Sequence, residues 1–156
     1  MDKAEVVRTL EEMAEILELT EANPFQIMAY RNGAQSLDDF DGDLGQAVRE
    51  KSLTDLPGIG KGLSAMISDL VLTGRSDECE RLRSLLPGKL RELLHVPRLG
   101  PKRIRRLNQE LGVDSVEALE AAAREGRIRG LKGFGAKTEE EILRGIERAR
   151  RYGRVS

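Results

Sequence analysis

The sequence predicts an all-α protein built from two small helical lobes. Aromatic residues make up only 3 % of the 156 residues and tryptophan is absent, a composition that favours packed helices over a β-sandwich or barrel. Apolar residues return at intervals of three and four along most of the chain, as in amphipathic helices. With 39 % hydrophobic residues, the chain can bury one moderate core or two small ones, and we expect two. Pro87-Gly88 marks the expected boundary between lobes 1–86 and 87–156.

The first lobe begins with two predicted helices. Along residues 3–19 four apolar side chains share one stripe with glutamates outside it, which predicts an amphipathic helix. Asn23 followed by Pro24 is typical of an N-cap and a first helical residue, so a second helix is expected from there toward Leu37. A connecting helix over 77–86 completes a lobe of four helices.

An acidic loop after the second helix raises the question of a metal site. Asp39, Asp41, Asp43 and Glu50 fall at positions 1, 3, 5 and 12 of a calcium-binding loop. Position 6 of such a loop needs glycine for a sharp turn, and Leu44 stands there. An acidic loop that caps a helix is therefore the favoured interpretation, with calcium binding as the alternative.

Three short stretches repeat one pattern of five residues, in which the first and fourth residues are apolar and the fifth is a glycine that opens a helix. We call them hairpin 1 (LPGIG, 56–60), hairpin 2 (VPRLG, 96–100) and hairpin 3 (LKGFG, 131–135). One such match is more often a plain helix end and turn. Three copies, which begin 40 and 35 residues apart, indicate one turn that is used three times.

The chemistry of this turn points to a phosphate. Glycine reaches positive φ and, having no side chain, lets a ligand approach the backbone. The free N–H groups and the dipole of the next helix favour an anion. The three stretches resemble helix-hairpin-helix motifs, which hold the nucleic-acid backbone through hairpin amides. The resemblance also implies candidate sites for Na⁺ or K⁺ on the carbonyls of Leu56, Ile59, Val96 and Leu99, and no cofactor is expected to be required.

Charge is distributed unevenly along the chain. The net charge of −1 divides into −8 for residues 1–55, +5 for residues 56–110 and +2 for residues 111–156. A DNA duplex would be attracted by the second and third sections and repelled by the first.

The most cationic stretch surrounds hairpin 2. Four basic side chains on the helix after it are expected to fan around the face opposite Ile104, and such a run is usually only a solvated face. Beside a phosphate-binding hairpin we interpret it as a DNA contact. The residues predicted to bind DNA are Gly58, Gly60, Lys61, Arg98, Gly100, Lys102, Arg103, Arg105, Arg106, Gly133, Gly135 and Lys137.

Hairpin 3 carries an opposing charge. Thr138 and Glu141 fit a capping box, but the three glutamates of 139–141 would lie within a turn of the expected phosphate site and weaken it. Lys132 and Lys137 compensate in part. The predicted order of phosphate affinity is therefore hairpin 2, hairpin 1, hairpin 3.

A more specific resemblance covers nearly the whole chain. Asn23-Pro24-Phe25, Ala29-Tyr30-Arg31, Ala34 and hairpin 1 with the following Lys61-Gly62 resemble the small N-terminal lyase domain of family X DNA polymerases, the polymerase beta relatives, and most of all their bacterial branch. Residues 87–150 resemble the DNA-binding subdomain that follows it. The resemblance implies that hairpins 2 and 3 pair about a pseudo-twofold axis.

The resemblance also allows the family's activities to be considered. The carboxylate-bearing palm follows the region resembled here, so we expect no polymerase activity from this chain. A lyase needs a lysine amine that forms a Schiff base with the sugar aldehyde. The positions that carry lysines in the family correspond to Met66, Gly62 and Gln26, so the nucleophile is missing and no catalytic residue is assigned, although Lys61 is a candidate substitute.

The predicted function is non-catalytic, sequence-tolerant binding of the DNA backbone, in DNA repair, on intact, gapped or nicked duplex. A weak 5′-deoxyribose-phosphate lyase and a protein-interaction adaptor that docks a repair protein remain alternatives. No apolar run approaches the ~20 residues of a membrane span, and the lone Cys79 indicates a reducing compartment, so a cytoplasmic protein without a membrane partner is expected.

Overall fold

A computed structural model describes residues 1–156, and the chain is all-helical with no strand, which confirms the predicted fold class. The helices gather into two compact units, Met1–Leu85 and Leu86–Ser156. None of them combines the length and the apolar character that crossing a bilayer requires.

The first unit contains five α-helices: α1 (Lys3–Leu19), α2 (Pro24–Asp39), α3 (Leu44–Arg49), α4 (Lys61–Thr73) and α5 (Asp77–Arg83). Helix α1 packs against α2 and buries its apolar stripe, including Leu10 and Met13 at 0 % exposure. Asn23 accepts a hydrogen bond from the Phe25 N–H at 2.8 Å and Pro24 opens α2, so the capping signal predicted from sequence is confirmed. Helix α5 ends at Arg83, earlier than residue 86.

The acidic loop after α2 is a helix cap. The Asp43 carboxylate accepts a hydrogen bond from the Gln46 N–H at 3.0 Å at the start of α3, and Leu44 is buried. No three His, Cys, Asp or Glu side chains come together as a metal site in residues 1–156. The loop thus fixes the start of α3 through local hydrogen bonding.

The second unit contains four α-helices: α6 (Gly88–Arg91), α7 (Pro101–Leu111), α8 (Val116–Arg124) and α9 (Ala136–Arg151). Its core is formed by fully buried aliphatic side chains from each of the longer helices, among them Ile104, Leu107, Leu119 and Ile142. The capping box predicted at Thr138 and Glu141 is wrong, because α9 begins one residue after Gly135, which is its N-cap. Residues 138 and 141 therefore lie inside the helix.

Helix α9 approaches hairpin 2 closely at Gly145. A Cβ atom at this position would lie 3.0 Å from the carbonyl oxygen of Pro97 and 3.3 Å from a methyl group of Val96. Gly145 is itself buried within the helix. A glycine here lets a helix pack against backbone, which a side chain would prevent.

We expect Gly145→Leu to destabilise the second unit by about 1–3 kcal/mol, because the side chain must displace the Pro97 carbonyl or move α9. Gly88→Leu is the matched control, since a Cβ at Gly88 meets nothing within 4 Å. Chemical denaturation followed by circular dichroism measures both variants. Equal stability of the two would contradict the close approach.

Candidate nucleic-acid interface

The three hairpins share one backbone turn. Their third residues all adopt the left-handed conformation, with φ of +76° at Gly58, +66° at Arg98 and +88° at Gly133. In each hairpin the N–H of the fourth residue donates to the carbonyl of the first, at 3.2, 3.2 and 3.0 Å. A positive φ at the third position and a bond from the fourth residue to the first are features of a type II turn.

The fifth residue of each hairpin is the N-cap of a helix. Gly60, Gly100 and Gly135 precede α4, α7 and α9 in extended backbone that any residue can adopt, and no side chain caps these helices. A Cβ atom at each of the three glycines would meet nothing within 4 Å. Neither conformation nor packing inside the chain requires glycine there, and the first N–H groups of each helix have no partner within the helix.

The exposed cations around the hairpins are mainly lysines. Lys61, Lys102 and Lys137 are exposed in the first turns of the helices that the hairpins open. The Arg98 side chain is 71 % exposed at the tip of hairpin 2, and its guanidinium lies 3.9 Å from the Glu141 carboxylate. These four side chains thus lie in a hairpin or in the helical turn directly after one.

The arginines of α7 are less exposed than the predicted DNA-contacting face requires. Arg103, Arg105 and Arg106 are all half-buried. The guanidinium carbons of Arg103 and Arg106 lie 5.6 and 5.2 Å from the centre of the Phe134 ring. They lie on the face opposite Ile104, as the helical period predicts, but hairpin 3 covers part of that face.

Glu139 is also placed differently from the expectation. It is 2 % exposed, and its carboxylate accepts hydrogen bonds from the Arg129 backbone N–H at 2.9 Å and from the Arg129 guanidinium at 2.8 and 2.9 Å. Burial would raise the pKa of this carboxyl, but the bonds from Arg129 outweigh burial and hold the pKa below its ordinary value. The expectation of three glutamates that oppose a phosphate is wrong for Glu139.

The other two glutamates of this turn also have cations nearby. Glu140 pairs with Arg144 at 3.3 Å, and Glu141 lies beside Arg98. The premise for ranking hairpin 3 last is therefore weakened. The ranking itself stays a prediction.

Each hairpin is supported at the carbonyl of its second residue. The Ser36 hydroxyl of α2 donates to the Pro57 carbonyl in hairpin 1. Helix α9 packs against the Pro97 carbonyl at Gly145 in hairpin 2, and the Arg106 guanidinium donates to the Lys132 carbonyl in hairpin 3. Sequence reasoning did not identify these contacts, because the supporting residue lies far along the chain from the hairpin.

A cavity of about 500 Å³ in the first unit brings together Gln26, Gly62 and Met66, the positions that the family resemblance assigns to lyase lysines. Lys61 is not among the residues that line it. The rim carries carboxylates from Asp69, Asp77 and Glu78.

Tyr30 also lines this cavity. Its burial, with a contribution from Glu78, raises the pKa of Tyr30 to about 12, so its phenol is neutral at pH 7. The cavity offers no amine, and its carboxylates disfavour a phosphate.

Glu139 should stabilise the second unit in a pH-dependent way. Its folded pKa is lowered, so its contribution is present above the ordinary glutamate pKa of about 4.3 and is lost as pH falls through the lower folded value. We expect Glu139→Gln to lower the free energy of unfolding at pH 7 by about 1–3 kcal/mol, since the neutral glutamine amide accepts weaker hydrogen bonds from Arg129 than the charged carboxylate does.

The measurement is denaturant unfolding of wild type and Glu139→Gln between pH 7 and pH 3, where the difference should shrink. Glu140→Gln is the control, because Glu140 is exposed. A difference that stayed constant with pH would show that the Glu139 charge is not what Arg129 recognises.

Comparisons with known proteins agree with this architecture. The model of the family described as helix-hairpin-helix domain matches residues 1–76, and that of the SAM-like helix-hairpin-helix tandem matches residues 90–148. A relative, the DNA polymerase/3′-5′ exonuclease PolX of Bacillus subtilis (strain 168), is 38 % identical over 149 residues, which is 96 % of this chain and 26 % of the relative. The chain spans about a quarter of that relative's length. The resemblance predicted from sequence is thereby confirmed: the chain contains helix-hairpin-helix domains and, over nearly its whole length, is similar to part of the polymerase PolX.

Proposed function

We propose that this chain binds the DNA backbone through the open helix N-termini of its hairpins, without reading base sequence. The observation that carries the proposal is the set of N-cap glycines at Gly60, Gly100 and Gly135. Each stands where the chain's own conformation and packing would accept a side chain. A glycine is useful there when a bulky anion must approach the backbone N–H groups, as a phosphate does.

The charge of the second unit supports the proposal. Residues 86–156 carry 17 basic and 10 acidic side chains, a net charge of +7, whereas residues 1–85 carry 9 basic and 17 acidic side chains, a net charge of −8. Long-range attraction of a polyanion therefore favours the second unit. We assign its main phosphate contacts to the first-turn amides of α7 and α9 together with Arg98, Lys102 and Lys137.

The proposal includes a monovalent cation, Na⁺ or K⁺, at the carbonyls of hairpins 1 and 2. Leu56 and Val96 each accept one hydrogen bond within the turn, and a carbonyl oxygen has a second lone pair for another partner. The carbonyls of Ile59 and Leu99 belong to the same turns. Oxygen donors of this kind suit hard cations, so the donor set fits the ion.

Lyase activity is not part of the proposal. The reaction needs an amine within reach of the sugar aldehyde, and the cavity at Gln26, Gly62 and Met66 has none in its lining. A role in DNA repair is proposed from the resemblance to family X DNA polymerases that the sequence motifs carry. Preference for gapped or nicked DNA and contact with a repair protein remain predictions within that role.

We expect Gly100→Val to weaken duplex binding by about tenfold, which corresponds to about 1.4 kcal/mol, because the added side chain blocks phosphate approach to α7. Thermal stability should fall only slightly, by at most about 1 kcal/mol for the poorer N-cap residue, since a Cβ at Gly100 meets no atom within 4 Å. Fluorescence anisotropy with a labelled duplex measures affinity. Gly88→Val, which also adds a side chain in open space of the second unit, is the control. Equal affinity of both variants would remove the main support for the proposal.

Binding through phosphates should depend steeply on salt. The logarithm of the binding constant should fall linearly with the logarithm of salt concentration, with a slope of about −0.9 per phosphate neutralised. We expect Lys102→Ala to flatten the slope by about one unit and to weaken all duplex sequences alike. The measurement is a salt titration with two duplexes of unrelated sequence. Poor binding at low salt, or a wild-type slope near zero, would favour the adaptor function instead.

A further inference from the structure

Hairpin 3 is anchored differently from the other two hairpins. The fourth residues of hairpins 1 and 2, Ile59 and Leu99, are aliphatic side chains that are 4 % and 3 % exposed. The fourth residue of hairpin 3, Phe134, is only half-buried. Its ring is approached by the guanidinium groups of Arg103 and Arg106 instead, at distances at which a cation is attracted to an aromatic face.

The same two arginines hold hairpin backbone. Arg103 donates from Nη1 to the Arg98 carbonyl of hairpin 2 at 3.0 Å. Arg106 donates from Nη1 to the Lys132 carbonyl of hairpin 3. Because residues three apart on a helix are neighbours, this pair on α7 connects the backbone of hairpin 2 with both the backbone and the ring of hairpin 3.

We propose that Arg103 and Arg106 are positioning residues, which orient hairpin 3 so that its amides bind a DNA phosphate. The inference rests on the proposed DNA-binding function and deepens it. Hairpin 3 has the same turn as hairpins 1 and 2 but not their aliphatic anchor, and the two guanidinium groups replace that anchor. Its amides are therefore ordered by side chains of α7.

The contacts of Arg106 distinguish this role from a direct phosphate contact. Its guanidinium already donates to the Lys132 carbonyl, pairs with Glu110 at 3.0 Å and lies over Phe134. A phosphate would have to displace these partners. A lysine at this position would keep the positive charge but lack the planar guanidinium, which donates hydrogen bonds and stacks on a ring at the same time. The charge-conserving variant therefore separates a positioning role from a direct phosphate contact.

The test uses the full chain and a fluorescein-labelled duplex of arbitrary sequence, titrated at several salt concentrations. We expect Arg106→Lys to weaken binding about threefold to tenfold with an unchanged salt slope, because the charge stays while the ring contact and the fork are lost. Phe134→Ala should weaken binding similarly, because it removes the ring without supplying the aliphatic anchor of hairpins 1 and 2, and it separates the ring contact from any defect peculiar to lysine. Arg144→Lys is the control, as it makes the same change at an exposed arginine.

A double-mutant cycle locates the effect. On a Gly135→Val background, where hairpin 3 no longer admits a phosphate, Arg106→Lys should cost no further affinity, whereas on a Gly60→Val background it should cost its full factor. A full additional loss on the Gly135→Val background would overturn the proposal. The proposal would also be overturned if Arg106→Lys bound DNA as tightly as the wild type while Arg106→Ala lost both affinity and about one unit of salt slope. Arg106 would then be a phosphate ligand.

Hydrogen exchange provides a readout that does not depend on DNA. The Phe134 N–H, which closes the turn of hairpin 3, should exchange at least several-fold faster in Arg106→Lys than in wild type, while the equivalent Ile59 N–H of hairpin 1 should not change. Unchanged exchange at Phe134 would overturn the positioning role even if DNA binds. Faster exchange without DNA binding by the wild type would uphold the positioning of the turn and reject the DNA-binding function.

Discussion

The closed turn with a left-handed third residue is the constraint on which both units depend. It reverses the chain within a few residues, and the positive φ at Gly58, Arg98 and Gly133 makes that reversal possible. After the hydrogen bond that closes the turn, the fifth hairpin residue is in extended backbone. A new helix begins there, and its first N–H groups have no partner within the helix. The amides that are proposed to bind phosphate and the carbonyls that are proposed to bind a cation both result from this one geometry.

Three different neighbours support the same turn. A hydroxyl from α2, the packed backbone of α9 and a guanidinium from α7 each meet the carbonyl of the second hairpin residue. This carbonyl takes no part in the hydrogen bond that closes the turn, so it needs another partner where it is shielded from water. The turn therefore stays constant while its support changes with the element that packs beside it.

Local features were predictable from sequence and non-local ones were not. The all-α class, the repeated turn and the Asn23 cap follow from residue periods and from contacts within a few residues. The burial of Glu139 depends on Arg129, ten residues earlier, and the engagement of Arg103 and Arg106 depends on Phe134 in another hairpin. A helical period defines one helix's faces but not what covers them. For this reason the sequence predicts DNA-contacting arginines on α7 and phosphate-opposing glutamates on α9, whereas Phe134 and Arg129 cover part of these side chains.

Arg98 shows what the tip of hairpin 2 requires of the fold. It occupies the left-handed conformation that glycine adopts in hairpins 1 and 3, and a residue with a Cβ atom is less stable there by roughly 1–2 kcal/mol. A search for the most stable sequence on this backbone would choose glycine at position 98. Hairpin 2 thus carries a cation at its tip at some expense of folding stability, and a thermostabilising substitution at this residue is expected to remove the phosphate contact proposed for it.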